Sequence, residues 1–195
     1  MTTKHRAISV ASVAFSSKGV AATSLDEIAR QLGVTKQTVL YHFGSKEGLL
    51  SAVFVDAAQV LCVELRRAAE QSEPGWPCVE TIVRTSFSLA LQRPELIGLL
   101  REVSRAEASC AAEAVAIVQP LIDDAVRHLD DGMSAGVYRA VDSRLVLLST
   151  YAALSAAVAD SEALRTLGLR LDTRMAVRLR STILASLRSA LSPGK

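Results

Sequence analysis

Aromatic side chains are scarce in this sequence: four Phe, three Tyr and one Trp make up 4% of 195 residues. A core must therefore be packed from Leu, Val, Ile and Ala. Glycine (10) and proline (5) are also few, while Ala, Leu, Arg and Glu recur throughout. Little of the chain is left for turn-rich β-structure, and the composition reads as all-α. Charged residues at 22% and hydrophobic residues at 50% exclude a disordered chain.

Cysteine is sparse as well. Cys62, Cys78 and Cys110 are odd in number and far apart, and no CxxC or Cys/His spacing accompanies them. That argues against zinc. Reduced thiols acting as small core side chains are expected, with no metal and no cofactor. The N-terminal segment has too little apolar continuity for a signal peptide. Long hydrophobic runs are missing too: the longest uncharged stretch, Leu145 to Ala159, is short for a bilayer and carries Ser149, Thr150, Tyr151 and Ser155. A soluble cytoplasmic protein with no membrane partner is expected.

Net charge is +2, too small to name a partner, but it is unevenly placed. The segment through Gly48 carries +3 and the remainder −1. A basic head on a near-neutral body suits nucleic-acid binding by the head.

Punctuation residues divide the chain into about nine helical segments. The first is expected over about 4–18, ending at Gly19. The second opens on Ser24-Leu-Asp-Glu27, a capping box in which the Ser hydroxyl and the Glu carboxylate each take the other's backbone N–H, and it stops at Gly33. The third, capped by Thr35, reaches Phe43. The fourth, capped by Ser45, reaches about Gln71. A break at Glu73-Pro-Gly-Trp-Pro77 precedes a fifth ending near Arg93. The sixth is placed over about 94–108. The seventh is placed over about 111–129, with a kink at Pro120 and a turn-rich 130–136 after it. The eighth follows the cap Asp142, and the ninth covers about 172–191.

The stretch from Thr23 to Leu50 carries the chemistry. Two short capped helices are joined by Gly33-Val34, where glycine can take the left-handed conformation without a Cβ penalty. Ala29 is small where two helices must cross, and Val34, Val39 and Phe43 supply the contacts between them. Such a unit is a helix-turn-helix. Lys36, Gln37, Thr38, Tyr41 and His42 are left on the outer face of the second helix, which contains no carboxylate to repel phosphate. Gln can read adenine and Thr can meet a thymine methyl, while Tyr41 and Lys46 suit phosphate oxygens. Lys4 on the first helix, with its neighbours His5 and Arg6, and Thr23 ahead of the second join the expected DNA-contacting set.

With these residues in view, the sequence resembles the TetR family of transcriptional regulators. The resemblance rests on Phe15, Gly19, Thr23, Ile28-Ala29, Gly33-Val34 and the run Leu40-Tyr-His-Phe-Gly-Ser-Lys-Glu47. It is specific over about the first 50 residues and weaker at Gly136-Val-Tyr-Arg-Ala-Val-Asp142. Leu40 stands where the family often has Tyr, so a customary phosphate contact is missing. The resemblance implies an N-terminal three-helix helix-turn-helix domain, residues 1–48, and a helical effector-binding and dimerisation domain, residues 49–195. It also implies a non-enzymatic repressor that binds a palindromic double-stranded DNA operator as a homodimer and is released by a small-molecule effector.

Two apolar lines are candidates for the dimer interface: Leu145, Leu148, Ala152 and Ala156 on the eighth helix, and Leu179, Ile183 and Leu187 on the ninth. Cys62, Arg84, Phe87, Leu100, Val118 and Tyr151 are candidates for a mostly apolar effector pocket. Gly48 is placed where the head would swing. A need for a corepressor, or a role as a helical protein–protein adaptor, are the alternatives. Catalysis has no support from the scattered His5, His42 and His128 or from any nucleophile or phosphate-loop motif.

Overall fold

The computed structural model describes residues 2–103, 105–159, 166–168, 170 and 172–193. Among them nine helices are bounded and no strand occurs. They are α1 (Thr3–Lys18), α2 (Leu25–Leu32), α3 (Lys36–Phe43), α4 (Lys46–Glu70), α5 (Trp76–Gln92), α6 (Pro94–Val103), α7 (Ala108–Ser134), α8 (Ser143–Ala159) and α9 (Thr173–Leu191). The all-α expectation holds.

The described residues pack as two compact units. The first combines Met1–Cys62 with Arg93–Val118, and the second combines Val63–Gln92 with Gln119–Lys195. The expected functional boundary after residue 48 falls inside the first unit.

Unit 1 is built around Ala7, Ala11 and Phe15 of α1, Leu25, Ile28, Ala29 and Leu32 of α2, Val39 of α3, and Leu49, Leu50, Val53, Phe54 and Ala58 of α4. Leu99 of α6 and Ala111 and Ala114 of α7 close the same cluster. Phe15, Ile28 and Leu49 are wholly inside, the large apolar burial on which a core with so few aromatics depends. By length and hydropathy α4 has the composition of a membrane-crossing helix, yet one face of its first half is taken up by this cluster.

Unit 2 packs Val83 and Phe87 of α5 against Ile183, Leu184 and Leu187 of α9, with Val146, Ala153 and Leu154 of α8 alongside. A second cluster joins Leu129 of α7, Tyr138 and Leu191. The Tyr138 ring lies so close on Gly132 that a Cβ there would overlap it.

Several boundaries differ from the sequence reading. Helix α6 ends at Val103, short of the expected 108. Helix α7 begins earlier than expected and runs through Ser134, taking in the segment expected as a turn. It ends two residues before Gly136, whose φ of 72° is left-handed. The backbone amides of Val137 and Tyr138 turn back onto the Gly132 carbonyl, at 2.8 and 3.1 Å. Helix length here follows from the seat of Tyr138, which local propensity does not encode.

Candidate nucleic-acid interface

Helix α2 starts where the sequence places it. The Ser24 hydroxyl accepts the Glu27 N–H at 3.1 Å, meeting one of the unpaired donors at the helix start. The expected reciprocal bond is replaced: the Glu27 carboxylate pairs with Lys18 at the end of α1. That ammonium holds the Glu27 carboxyl below its ordinary pKa. The contact ties α2 to α1 where a capping box would serve α2 alone.

The turn is closed as expected. Gly33 has φ 69° and ψ 31°, in the left-handed region, and the Val34 N–H returns to the Ala29 carbonyl at 3.0 Å. Thr35 caps α3, accepting the Thr38 N–H at 3.2 Å, and its hydroxyl also bonds the Thr38 hydroxyl at 2.9 Å. Val39, 2% exposed, anchors α3 in the core, while Val34, Leu40 and Phe43 pack partly against it. Arg6 of α1 donates to the Leu32 carbonyl at 3.3 Å and braces the end of α2.

With Val39 inward, the other side of α3 faces solvent. Tyr41 is 84% exposed, far above what a ring in a core would show. Lys36 and Gln37 are exposed, and Thr38 and His42 are half-buried. The His42 ring sits edge-on to Tyr41 at 5.3 Å between centroids and to Phe43 at 6.2 Å. Lys46, half-buried, opens α4, and Lys4 is exposed on the first turn of α1. A face with hydroxyls, an amide, an imidazole and ammonium groups, and no carboxylate within α3, can donate to phosphates and to base edges.

Thr23 does not belong to that face. It is 1% exposed, and its hydroxyl donates to the Gly19 carbonyl at 2.9 Å. Its side chain is turned into the protein to hold the α1–α2 loop, which removes it from the DNA-contacting set.

Sequence reasoning missed Asp26, whose carboxylate pairs with Lys36 at 2.8 Å. Ten residues and a helix turn separate the two, so no helical spacing announces the pair. Gly48 has a clear packing role: a Cβ there would overlap the Phe43 carbonyl. Its own N–H donates to the Ser45 hydroxyl at 3.0 Å, completing the cap of α4.

The remaining expected site residues are divided between the two units. Cys62 and Val118 lie in unit 1, where the Cys62 thiol is 3.5 Å from the Ile117 carbonyl. Arg84 is on the surface, chelated to Glu80 at 2.9 and 2.6 Å. Phe87 is 2% exposed within the α5–α9 core. Tyr151 is 49% exposed on α8. The side chain of Leu100 lies outside the described residues. Of the two apolar lines, Leu145 and Leu148 are 61% and 60% exposed, and Ala152 is exposed beside them. The side chain of Ala156 lies outside the described residues. On α9 the expectation is corrected: Ile183 and Leu187 are buried against Val83 and Phe87, with Leu179 packed on them. That line is occupied within the chain itself.

Fold and outer face define a helix-turn-helix protein with a helical second part. Residues 7–53 match the family described as bacterial regulatory proteins, tetR family. The chain is 25% identical over 159 residues to an uncharacterized HTH-type transcriptional regulator, YhgD of Bacillus subtilis, covering 77% of this chain and 81% of that one. Its fold is similar to AibR in complex with isovaleryl coenzyme A and operator DNA, with TM-score 0.80, 16% identity, and 99% and 100% of the two chains covered. It is also similar to the ketosteroid transcriptional regulator KstR2 of Mycobacterium tuberculosis, with TM-score 0.77, 18% identity, and 99% and 96% covered. Residues 7–53 thus carry the tetR-family helix-turn-helix region, and over nearly its whole length the chain has the fold of these solved regulators.

Proposed function

We propose that this protein is a ligand-responsive transcriptional repressor that binds a palindromic operator as a homodimer and leaves it when a small, mainly apolar effector binds. The observation that carries the reading is α3, an acid-free helix anchored by Val39 with Tyr41 fully presented. Gln37, Thr38 and Lys36 read or grip the major groove, and Tyr41, Lys46 and Lys4 hold phosphates.

Two reading helices set about 34 Å apart suit half-sites one duplex turn apart. The dimer face proposed is the exposed line Leu145, Leu148 and Ala152 of α8, now with Tyr151 beside it; apolar side chains this exposed gain by being covered. For the effector, Cys62 and Val118 in unit 1 remain candidate contacts. That the effector is a small molecule is in keeping with the isovaleryl coenzyme A bound to the similar protein AibR. The effector acts by binding the DNA-free arrangement better than the DNA-bound one.

The test is fluorescence anisotropy with DNA from upstream of the protein's own gene and with scrambled DNA, across a salt series. Selective binding that weakens steeply with salt is expected, because neutralised phosphates release counterions. Tyr41→Ala should abolish the selectivity. Weak binding, equal on both DNAs and indifferent to Tyr41→Ala, would overturn the reading in favour of a protein–protein adaptor.

A further inference from the structure

Helix α6 lies outside the three-helix head, yet within unit 1 its closest partner is α1, and two contacts fix the pair. At Gly98 the α6 backbone rests on α1: a Cβ there would stand 2.5 Å from Ser16 Cβ, 2.6 Å from the Ser16 carbonyl oxygen and 2.8 Å from Ser16 Cα. Only glycine admits that approach without displacing backbone. One turn later, the Glu102 carboxylate accepts the Val20 N–H at 3.0 Å. The Glu102 side chain is 11% exposed, and its other oxygen is 3.5 Å from Arg105.

Helix electrostatics does not account for Glu102. A carboxylate beside the C-terminal end of α1 meets the negative end of that helix's dipole. What holds it is the Val20 amide, which lies beyond Gly19 at the close of α1 and needs an acceptor. The same loop is gripped from inside by Thr23, whose hydroxyl donates to the Gly19 carbonyl. Residues 19–23 join α1 to α2, and α2 carries α3 across the Gly33 turn.

From this geometry we infer that Glu102 is a positioning residue for DNA recognition: with Gly98 it fixes α1, and through the 19–23 loop the reading helix α3, although it touches no DNA itself. The inference rests on the DNA-reading role proposed above. It reverses the sign expected from charge alone. Removing a carboxylate from a DNA-binding protein strengthens attraction to phosphate, whereas removing a positioning carboxylate weakens selective binding.

The experiment compares the full chain with Glu102→Ala, Glu102→Gln and Gly98→Ala by two measurements. One is anisotropy on the upstream DNA across a salt series, and the other is amide hydrogen exchange over residues 19–23. Glu102→Ala should bind about tenfold more weakly, the scale of a lost hydrogen bond to a charged group, with an unchanged salt dependence because no phosphate contact is lost. Glu102→Gln keeps an acceptor oxygen and should stay within about twofold of the parent. Gly98→Ala should weaken binding without altering any charge. Exchange over 19–23 should quicken in Glu102→Ala and remain near the parent in Glu102→Gln.

Binding in Glu102→Ala equal to or tighter than the parent would overturn the inference and leave Glu102 a bare negative charge near the head. If the parent itself selects no DNA, the function proposed above fails. Exchange then judges the α1–α6 latch alone: equal rates in all variants would refute it, and loss of protection in Ala but not Gln would uphold it.

Discussion

Lys36, the first residue of α3, is held 2.8 Å from Asp26, near the start of the preceding helix. Both side chains are at least half exposed, so the pair is worth little to stability. Its consequence is for binding, because a phosphate must compete with Asp26 for the Lys36 ammonium. Asp26→Asn should therefore raise affinity by about two- to fivefold, the scale of an exposed ion pair. The rise should be similar on operator and scrambled DNA, since a phosphate contact carries no sequence information. An anisotropy titration on both DNAs checks this, and a rise confined to the operator would show that Asp26 shapes base reading.

Backbone conformation sets the next expectation. Gly33 has φ 69°, where a Cβ costs roughly 1–2 kcal/mol. Gly33→Ala should lower stability by about that much, and Gly33→Asn by less, because Asn tolerates the left-handed region. Gly48→Ala fails for a different reason, overlap with the Phe43 carbonyl, and should cost about 1–3 kcal/mol. Thermal denaturation of the three variants separates conformational strain, which Asn relieves, from steric overlap.

The exposed and buried apolar lines of the second unit should respond oppositely to charge. Leu148→Glu places a carboxylate on an exposed site and should leave the fold intact while shifting the chain to monomer in sedimentation equilibrium. Leu187→Glu buries one against Val83 and Phe87 and should unfold the unit, since an unpaired charge in a core costs several kcal/mol. Unchanged dimerisation in Leu148→Glu would remove α8 from the proposed interface.

A pH effect follows from Glu27. The Lys18 ammonium lowers its carboxyl pKa in the folded protein. A carboxylate with a depressed folded value contributes stability that is present above the unfolded value and lost as pH falls through the folded one. Melting temperature should therefore decline as the solution is acidified below about pH 4.5, the ordinary carboxylate range. Glu27→Gln should melt lower near neutrality and show a shallower acid decline. The same slope in both proteins would assign the acid sensitivity to other carboxylates.

Much of the head is legible in the sequence. Ser24, Gly33, Thr35 and Ser45 act within a few residues of themselves, through caps and a left-handed turn, and local chemistry of that kind is written in local sequence. The inward placing of Val39 and the outward placing of Gln37 and Tyr41 follow from helical periodicity once the helix is bounded. Thr23 departs from its expected role because a hydroxyl suits phosphate and backbone carbonyl equally, and burial alone distinguishes them.

By itself, then, the sequence determined the all-helical class, the capped helix-turn-helix and the acid-free outer face of α3, since each depends on short-range hydrogen bonding and periodicity. Tertiary structure decided what long-range packing controls. It committed Ile183 and Leu187 to the chain's own core and left Leu145 and Leu148 uncovered. It extended α7 to seat Tyr138 on Gly132, and it brought Glu102 to the Val20 amide across 82 residues of chain. An apolar stripe shows that a helix buries one face; which surface covers that face depends on partners that arrive only when the chain folds.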